Sequence, residues 1–186
     1  MVRIVIGSIL GGIVQFIIGA IAWVSPLGGL AYKTLGDAET ADLHTSLART
    51  LTATGTGTYF IPSPDTAAST ALFGRGPVGL IFFNTSGFPI IEPASLLTGL
   101  ILSIVMLLLI GTALSLVDGF AARLKVAGLF AVAMILYFVL SLPVYNFYLP
   151  WGWWIYLAVE ELVAFAAGLF VLVRWFMPAA PVLPRT

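Results

Sequence analysis

The sequence predicts a membrane protein built as an all-α bundle of four transmembrane helices, with a small extracytoplasmic α+β insert between helices 1 and 2. Three observations support this fold class. Only 9% of the 186 residues are charged and 60% are hydrophobic, whereas a soluble domain carries about 25% charged residues. Four apolar runs are each about 20 residues long, which is enough for a helix to cross a bilayer. Half of the charged residues lie in one segment, residues 25–94.

Residues 1–24 are predicted to form transmembrane helix 1. A cleaved signal peptide is the alternative, but the apolar run is longer than the usual hydrophobic region of such a peptide. Gly7 and Gly11 form a GxxxG pattern, which lets helices approach closely in lipid. This pattern favours packing within the bundle, with a dimer or partner contact as the alternative. Gln15, in the middle of the run, is expected to hydrogen-bond to a neighbouring helix.

Residues 25–94 are predicted to form an extracytoplasmic αββ domain. The stretch from Asp37 places leucines at helical spacing and carries acidic residues in its first turn. The stretches 58–61 and 77–83 are rich in β-branched and aromatic residues and are bounded by Pro, Gly and Asn. These two strands are expected to pair across a loop around Asp65. Because two strands alone are marginally stable, they are expected to pack on the helix, the membrane surface or a partner.

Residues 95–176 are predicted to contain transmembrane helices 2 to 4, at about 95–117, 122–142 and 153–174. Pro143 is expected to end the third helix, because proline lacks the N–H that a helix interior needs. Ala164 and Gly168 are small residues that favour close helix packing in the fourth. Residues 177–186 are predicted to be a cytoplasmic tail.

The basic residues predict the orientation. Those close to the predicted spans, on the side of the two termini, are Arg3, Arg123, Lys125 and Arg174, and such clusters mark the cytoplasmic side. Both termini are therefore expected to be cytoplasmic and residues 25–94 to lie outside. The expected location is a bacterial inner membrane, with residues 25–94 in the periplasm.

The order of these elements is similar to that of claudin-type proteins: a helix, an outer domain with strands, then three helices joined by a short inner turn and a short outer loop. The paired cysteines and the tryptophan signature of that outer domain are absent here. The resemblance therefore extends to topology alone and implies nothing about function.

Aromatic residues border the fourth predicted helix at both ends. Such residues form belts at the two membrane interfaces. The belt residues are Tyr145, Tyr148, Trp151, Trp153, Trp154 and Trp175. An alternative interpretation is that the loop 144–156 binds a lipid, a quinone or a pigment, with Asn146 and Tyr156 supplying polar contacts.

Glu160 and Glu161 are the residues hardest to explain by membrane packing. They lie in a predicted span, where charge is costly, and no Lys or Arg lies in the interior of any span to compensate. Three interpretations remain open: the carboxyl groups hydrogen-bond to a neighbouring helix and the interface, they meet a basic residue of a partner, or they handle protons or cations. Neighbouring helix positions point about 100° apart, so the two carboxyl groups are not expected to share a partner.

Several chemistries receive no support from the residue set. The chain has no cysteine and a single histidine, His44. These counts remove thiolate catalysis and argue against a multi-histidine metal or haem site within one chain. The net charge is zero and there is no basic patch, so no nucleic-acid binding is expected. No resident cofactor and no metal are predicted.

The sequence therefore favours an accessory or interaction subunit of a larger membrane protein complex, without catalysis of its own. Its expected partners are membrane lipids and other membrane subunits or a second copy of the chain. One alternative is a small proton- or cation-coupled transporter that uses Glu160 and Glu161. The other is a lipid- or quinone-binding membrane protein that uses the outer aromatic loop.

Overall fold

The computed structural model describes residues 1–177, and most of them are helical. The helices and strands, in chain order, are α1 (Val2–Val24), α2 (Asp37–Leu51), β1 (Gly57–Ile61), α3 (Ala67–Arg75), β2 (Gly79–Phe83), α4 (Pro93–Leu114), α5 (Phe120–Met134), α6 (Ser141–Tyr145) and α7 (Trp151–Val171). A 3-10 turn, Pro26–Leu30, follows α1. Two π turns, Ile135–Val139 and Leu172–Phe176, follow α5 and α7.

Four helices are long and apolar enough to span a membrane, as predicted. They are Val2–Val24, Pro93–Leu114, Phe120–Tyr145 and Trp151–Phe176. The prediction of a multi-pass helical bundle is confirmed by the length and apolar composition of these four helices. The predicted cytoplasmic tail lies outside the described residues, apart from Met177.

The third span continues past the proline that was expected to end it. Pro143 lies in the first turn of α6, and one residue, Leu140, separates α6 from the π turn Ile135–Val139. N–H groups in the first turn of a helix have no partner within that helix, so the missing N–H of proline costs little there. The span therefore runs on to Tyr145.

The chain divides into two compact units. The first, which we call the helical unit, comprises Met1–Tyr32, Glu92–Leu142 and the described part of Gly152–Thr186. The second, which we call the inserted unit, comprises Lys33–Ile91 and Pro143–Trp151. All the residues of the candidate site described below belong to the helical unit.

The core of the helical unit is formed by the C-terminal halves of α4 and α7 and by α5. Leu107 and Leu172 are fully buried there and Val173 is 1% exposed. Ala127 of α5 belongs to the same buried cluster. The first helix, α1, packs most extensively against α4, because Gly12 lets the backbone of Ile104 come close: a Cβ atom at Gly12 would lie 2.8 Å from the Ile104 Cα.

The inserted unit contains the predicted pair of strands, and its sheet has two strands in the described residues. β1 and β2 are antiparallel, with Tyr59 opposite Ile81 and Phe60 opposite Leu80. The Phe60 ring packs on Tyr148, with 4.7 Å between the ring centroids, and on Phe73 of α3, at 5.7 Å. Aromatic packing of this kind stabilises a pair of strands that would be marginal alone.

The connection between the strands holds a helix that the sequence analysis placed in a loop. This helix, α3, begins with a capping box: the Thr66 hydroxyl accepts from the Ser69 N–H, and the Ser69 hydroxyl accepts from the Thr66 N–H. Two otherwise unpaired N–H groups are satisfied in this way. Ser at the third position is a less common partner than Glu or Gln, which is why the motif was missed.

Candidate functional site in the helical unit

Glu160 lies on the side of α7 that faces α1. Its side chain is 9% exposed, and its Oε1 atom lies 3.0 Å from the place where a Cβ atom at Gly19 would be. Gly19 therefore leaves room for the carboxyl group. Its Oε2 atom is buried and has no hydrogen-bond partner within residues 1–177. At least one oxygen of the carboxyl group is therefore unsatisfied in this part of the chain.

Four aromatic rings pack together at this level of the helical unit. They belong to Trp23, Tyr32, Trp153 and Tyr156, and the centroids of neighbouring rings lie 4.9 to 6.0 Å apart. The Tyr156 hydroxyl donates a 2.6 Å hydrogen bond to the Ala22 carbonyl oxygen. Tyr156, predicted as a ligand contact, therefore joins α7 to the end of α1.

Glu161, the next residue of α7, is exposed and lines a cavity of about 560 Å³ between α4, α5 and α7. The second polar residue in the lining is Gln15 of α1. The remaining lining residues are apolar: Met106, Leu109, Ile110, Ala113, Leu114, Val117, Val126, Ala127, Phe130, Ala131, Met134, Ile135, Leu162 and Phe165. The volume falls within the range of about 300–1,000 Å³ that is typical of small-molecule sites.

Gln15 is one of the few buried polar side chains of the helical unit. It is 7% exposed, and its Oε1 atom has no hydrogen-bond partner in the described residues. A buried polar atom without a partner costs about 1–3 kcal/mol. The expected hydrogen bond from Gln15 to a neighbouring helix is therefore not seen for this oxygen, and the side chain borders the cavity instead.

The two carboxyl groups have different surroundings. Glu160 faces Gly19 and Trp23 of α1, while Glu161 lines the cavity. No Lys or Arg is among the residues that line the cavity. The nearest basic residue further along the same span is Arg174, 13 residues beyond Glu161 and roughly 20 Å away at 1.5 Å per residue. Within residues 1–177, neither carboxyl group has an ion-pair partner.

The predicted helix-packing residues lie where α1 meets α7. A Cβ atom at Gly168 would be 2.7 Å from the Gly11 carbonyl oxygen, and one at Gly7 would be 2.6 Å from the Phe176 Cβ atom. Ala164 is 2% exposed. The glycines of the GxxxG pattern therefore face the C-terminal half of the fourth span within the same chain.

Asn146 belongs to the inserted unit, so it is not part of the site in the helical unit. Its Oδ1 atom accepts a 3.0 Å hydrogen bond from the Tyr148 hydroxyl. Of the predicted belt residues, Tyr145, Trp151 and Trp175 are exposed, and Tyr148, Trp153 and Trp154 are half-buried.

Arg123 has a structural role that the sequence analysis did not foresee. Its side chain is 7% exposed. Its Nε donates to the carbonyl oxygens of Val117, at 2.7 Å, and Leu114, at 3.3 Å, and its Nη1 donates to that of Met177, at 2.6 Å. It thereby joins the C-terminal ends of the second and fourth spans. A signal was present, since an Arg a few residues after a helix end can bind the last carbonyl groups of that helix.

Other potential chemistry is sparse in the described chain. Within residues 1–177, no group of three or more His, Asp or Glu side chains could hold a metal ion. In comparisons with known protein families, curated proteins and solved structures, the chain has no match. The geometry around Gln15 and Glu161 is therefore the basis for a functional proposal.

Proposed function

We propose that the protein binds an amphipathic molecule of the bilayer in the cavity between α4, α5 and α7, without catalysis of its own. The observation that carries this proposal is an apolar cavity of about 560 Å³ with two polar side chains, Gln15 and Glu161, in its wall. Small-molecule sites are mostly apolar, with a few polar groups that fix the orientation of the ligand. The proposal keeps the lipid-binding alternative but moves it from the outer aromatic loop into the bundle.

The test is to fill the cavity and measure ligand retention. Ala131→Phe places a ring in the lining, and Leu129→Phe, at an exposed position of α5 outside the lining, is the matched control. The full chain is purified in mild detergent, and bound lipid-sized molecules are counted by native mass spectrometry. Wild type and Leu129→Phe should retain a stoichiometric ligand, and Ala131→Phe should lose at least nine-tenths of it. Equal retention by all three proteins would overturn the proposal.

A second candidate function is that of an accessory subunit in a larger membrane complex. The observation that favours it is a set of strongly exposed apolar side chains in the inserted unit: Phe82 is 80% exposed, Phe88 68% and Ile90 fully exposed. Exposed apolar patches on a soluble surface mark interaction sites. Phe82 lies on the short strand β2. Among the described residues, β1 is the one strand that pairs with β2.

The subunit candidate is tested by purification from native membranes in mild detergent. A stoichiometric partner that is lost from the double variant Phe82→Ser/Ile90→Ser, but kept by Leu129→Phe, would support it. A chain that purifies alone, as a monomer or homo-oligomer, would contradict it. In that case the transporter alternative would be tested next, with cation flux measured for wild type and for the double variant Glu160→Gln/Glu161→Gln.

A further inference from the structure

We infer that the molecule bound in this cavity is a long-chain amine, with a cationic head group at Glu161 and Gln15 and an alkyl tail along α5. The inference rests on the proposed function and specifies the chemical class of the ligand.

The charge of the cavity wall is the first argument for a long-chain amine. Glu161 is the one ionisable residue among the sixteen that line the cavity, so nothing in the wall neutralises an ionised carboxylate. An ammonium head group supplies the missing charge and donates hydrogen bonds to the carboxylate.

Gln15 is the second polar residue in the wall of this cavity. Its side chain is more than nine-tenths buried, and its Oε1 atom has no hydrogen-bond partner in the described part of the chain. An ammonium group carries three N–H donors, which is more than one carboxylate requires. A head group with several donors therefore suits this wall better than a quinone, whose ring oxygens are acceptors only.

The rest of the wall suits a tail. On α5 and the first residue after it, the lining runs from Val126 to Ile135, roughly 14 Å at 1.5 Å per residue. On α4 and the residues directly after it, the lining runs from Met106 to Val117. All the residues named for these two stretches are apolar. An extended alkyl chain can lie along them, with its head at Gln15 and Glu161.

The second cavity, about 190 Å³, is lined by apolar residues only. It contains no polar group that would orient a head group, so it supports no separate site.

The test compares two probes that differ only in the head group: hexadecylamine and hexadecanol. Each is titrated into the full chain in detergent, and bound probe is measured by native mass spectrometry. Wild type should bind the amine at least tenfold more tightly than the alcohol. Glu161→Gln, which keeps the shape of the side chain, should weaken amine binding at least tenfold and change alcohol binding less than twofold. The retained alcohol binding shows that this variant is folded.

Two matched variants separate the possible failures. Glu160→Gln alters the neighbouring carboxyl group outside the cavity and should change neither affinity more than twofold. Ala131→Phe should weaken binding of both probes at least tenfold. If wild type binds both probes equally, or Glu161→Gln leaves amine binding unchanged, the amine inference is overturned while the proposed function stands. If wild type binds neither probe, or Ala131→Phe weakens neither, the proposed function fails as well.

Discussion

The two charged side chains that bind the ends of α4 have hydrogen-bond partners there. The two carboxyl groups inside α7 differ, because their hydrogen-bonding capacity is less fully satisfied. At the start of α4, the Glu92 carboxylate accepts a hydrogen bond from the Ser95 N–H. At its end, Arg123 binds the carbonyl oxygens of Leu114 and Val117. An acid at a helix N-terminus and a base at its C-terminus both complement the helix dipole. These charges stabilise the fold.

The carboxyl groups of α7 show the opposite pattern. Within residues 1–177, one Glu160 oxygen is buried without a hydrogen-bond partner, and the residues that line the cavity beside Glu161 include no basic one. A buried polar atom without a partner reduces stability, and this applies to Glu160. The comparison separates two kinds of charged side chain: Arg123 and Glu92 bind the ends of a helix, whereas Glu161 is the residue that we propose binds a ligand. Substitution of Arg123 is therefore expected to lower stability, whereas substitution of Glu161 is expected to weaken ligand binding.

The largest effect on stability is expected from Arg123→Ala. Among the described residues, the substitution removes three hydrogen bonds from a charged donor to the carbonyl oxygens of Leu114, Val117 and Met177. Bonds to charged groups contribute about 1.5–3 kcal/mol each, but their losses do not add fully, so a loss of about 3 kcal/mol is expected. Denaturant unfolding of the purified protein in detergent measures this loss. Lys125→Ala, at an exposed position two residues away, should change stability by less than about 0.5 kcal/mol. Similar values for both variants would refute the role of Arg123.

The next largest effect is expected from Gly168→Ala, at the crossing of α1 and α7. The new Cβ atom would lie 2.7 Å from the Gly11 carbonyl oxygen, so the two backbones must move apart. Overpacking of this kind costs about 1–3 kcal/mol. Gly128→Ala in α5 is the matched control, because its Cβ atom meets nothing within 4 Å. The control should be stabilised by about 0.5–1 kcal/mol, since alanine favours a helix over glycine. Unfolding in detergent should rank the control above wild type and Gly168→Ala below it.

Glu160→Met should leave stability unchanged or raise it by up to about 1 kcal/mol. The variant removes a buried oxygen that has no partner in the described chain, and it keeps a side chain of similar length beside Gly19. Unfolding in detergent again provides the measurement. A loss of about 2 kcal/mol or more would mean that the Glu160 carboxyl group makes a stabilising contact with α1, so that it supports the fold as Arg123 does.

The fold was predictable from sequence wherever one local property decides the structure. Long apolar runs determine the four spans, and β-branched and aromatic stretches determine the strand pair. The extent of the third span was not predictable in the same way, because the place of Pro143 after a π turn depends on the geometry of that turn. The Thr66–Ser69 capping box was readable in principle but is an uncommon variant.

The candidate site was only partly predictable. Glu160 and Glu161 were evident from the sequence, because charge within an apolar run is rare. Their different surroundings depend on three-dimensional packing. Packing decides which residues of α4 and α5 line the cavity beside Glu161, and it places Gln15 of α1 in the wall of that cavity. The contacts of Arg123 with Met177 join positions 54 residues apart. No spacing rule within one helix reveals such contacts.

The smallest effect is expected at Glu92, which lies outside the spans and begins α4. The hydrogen bond from the Ser95 N–H, together with one from the Ser95 side chain, lowers the pKa of the Glu92 carboxyl group below its usual value of 4.5. The folded state therefore favours the ionised form. The stabilisation is fully present above pH 4.5 and is lost as the pH falls through the lowered pKa. Thermal unfolding between pH 6 and pH 3 should show a small decline in wild type that is reduced in Glu92→Gln, which keeps an acceptor oxygen but does not titrate. An equal decline in both proteins would place the acid sensitivity at other carboxyl groups and leave Glu92 as a helix cap whose charge does not contribute.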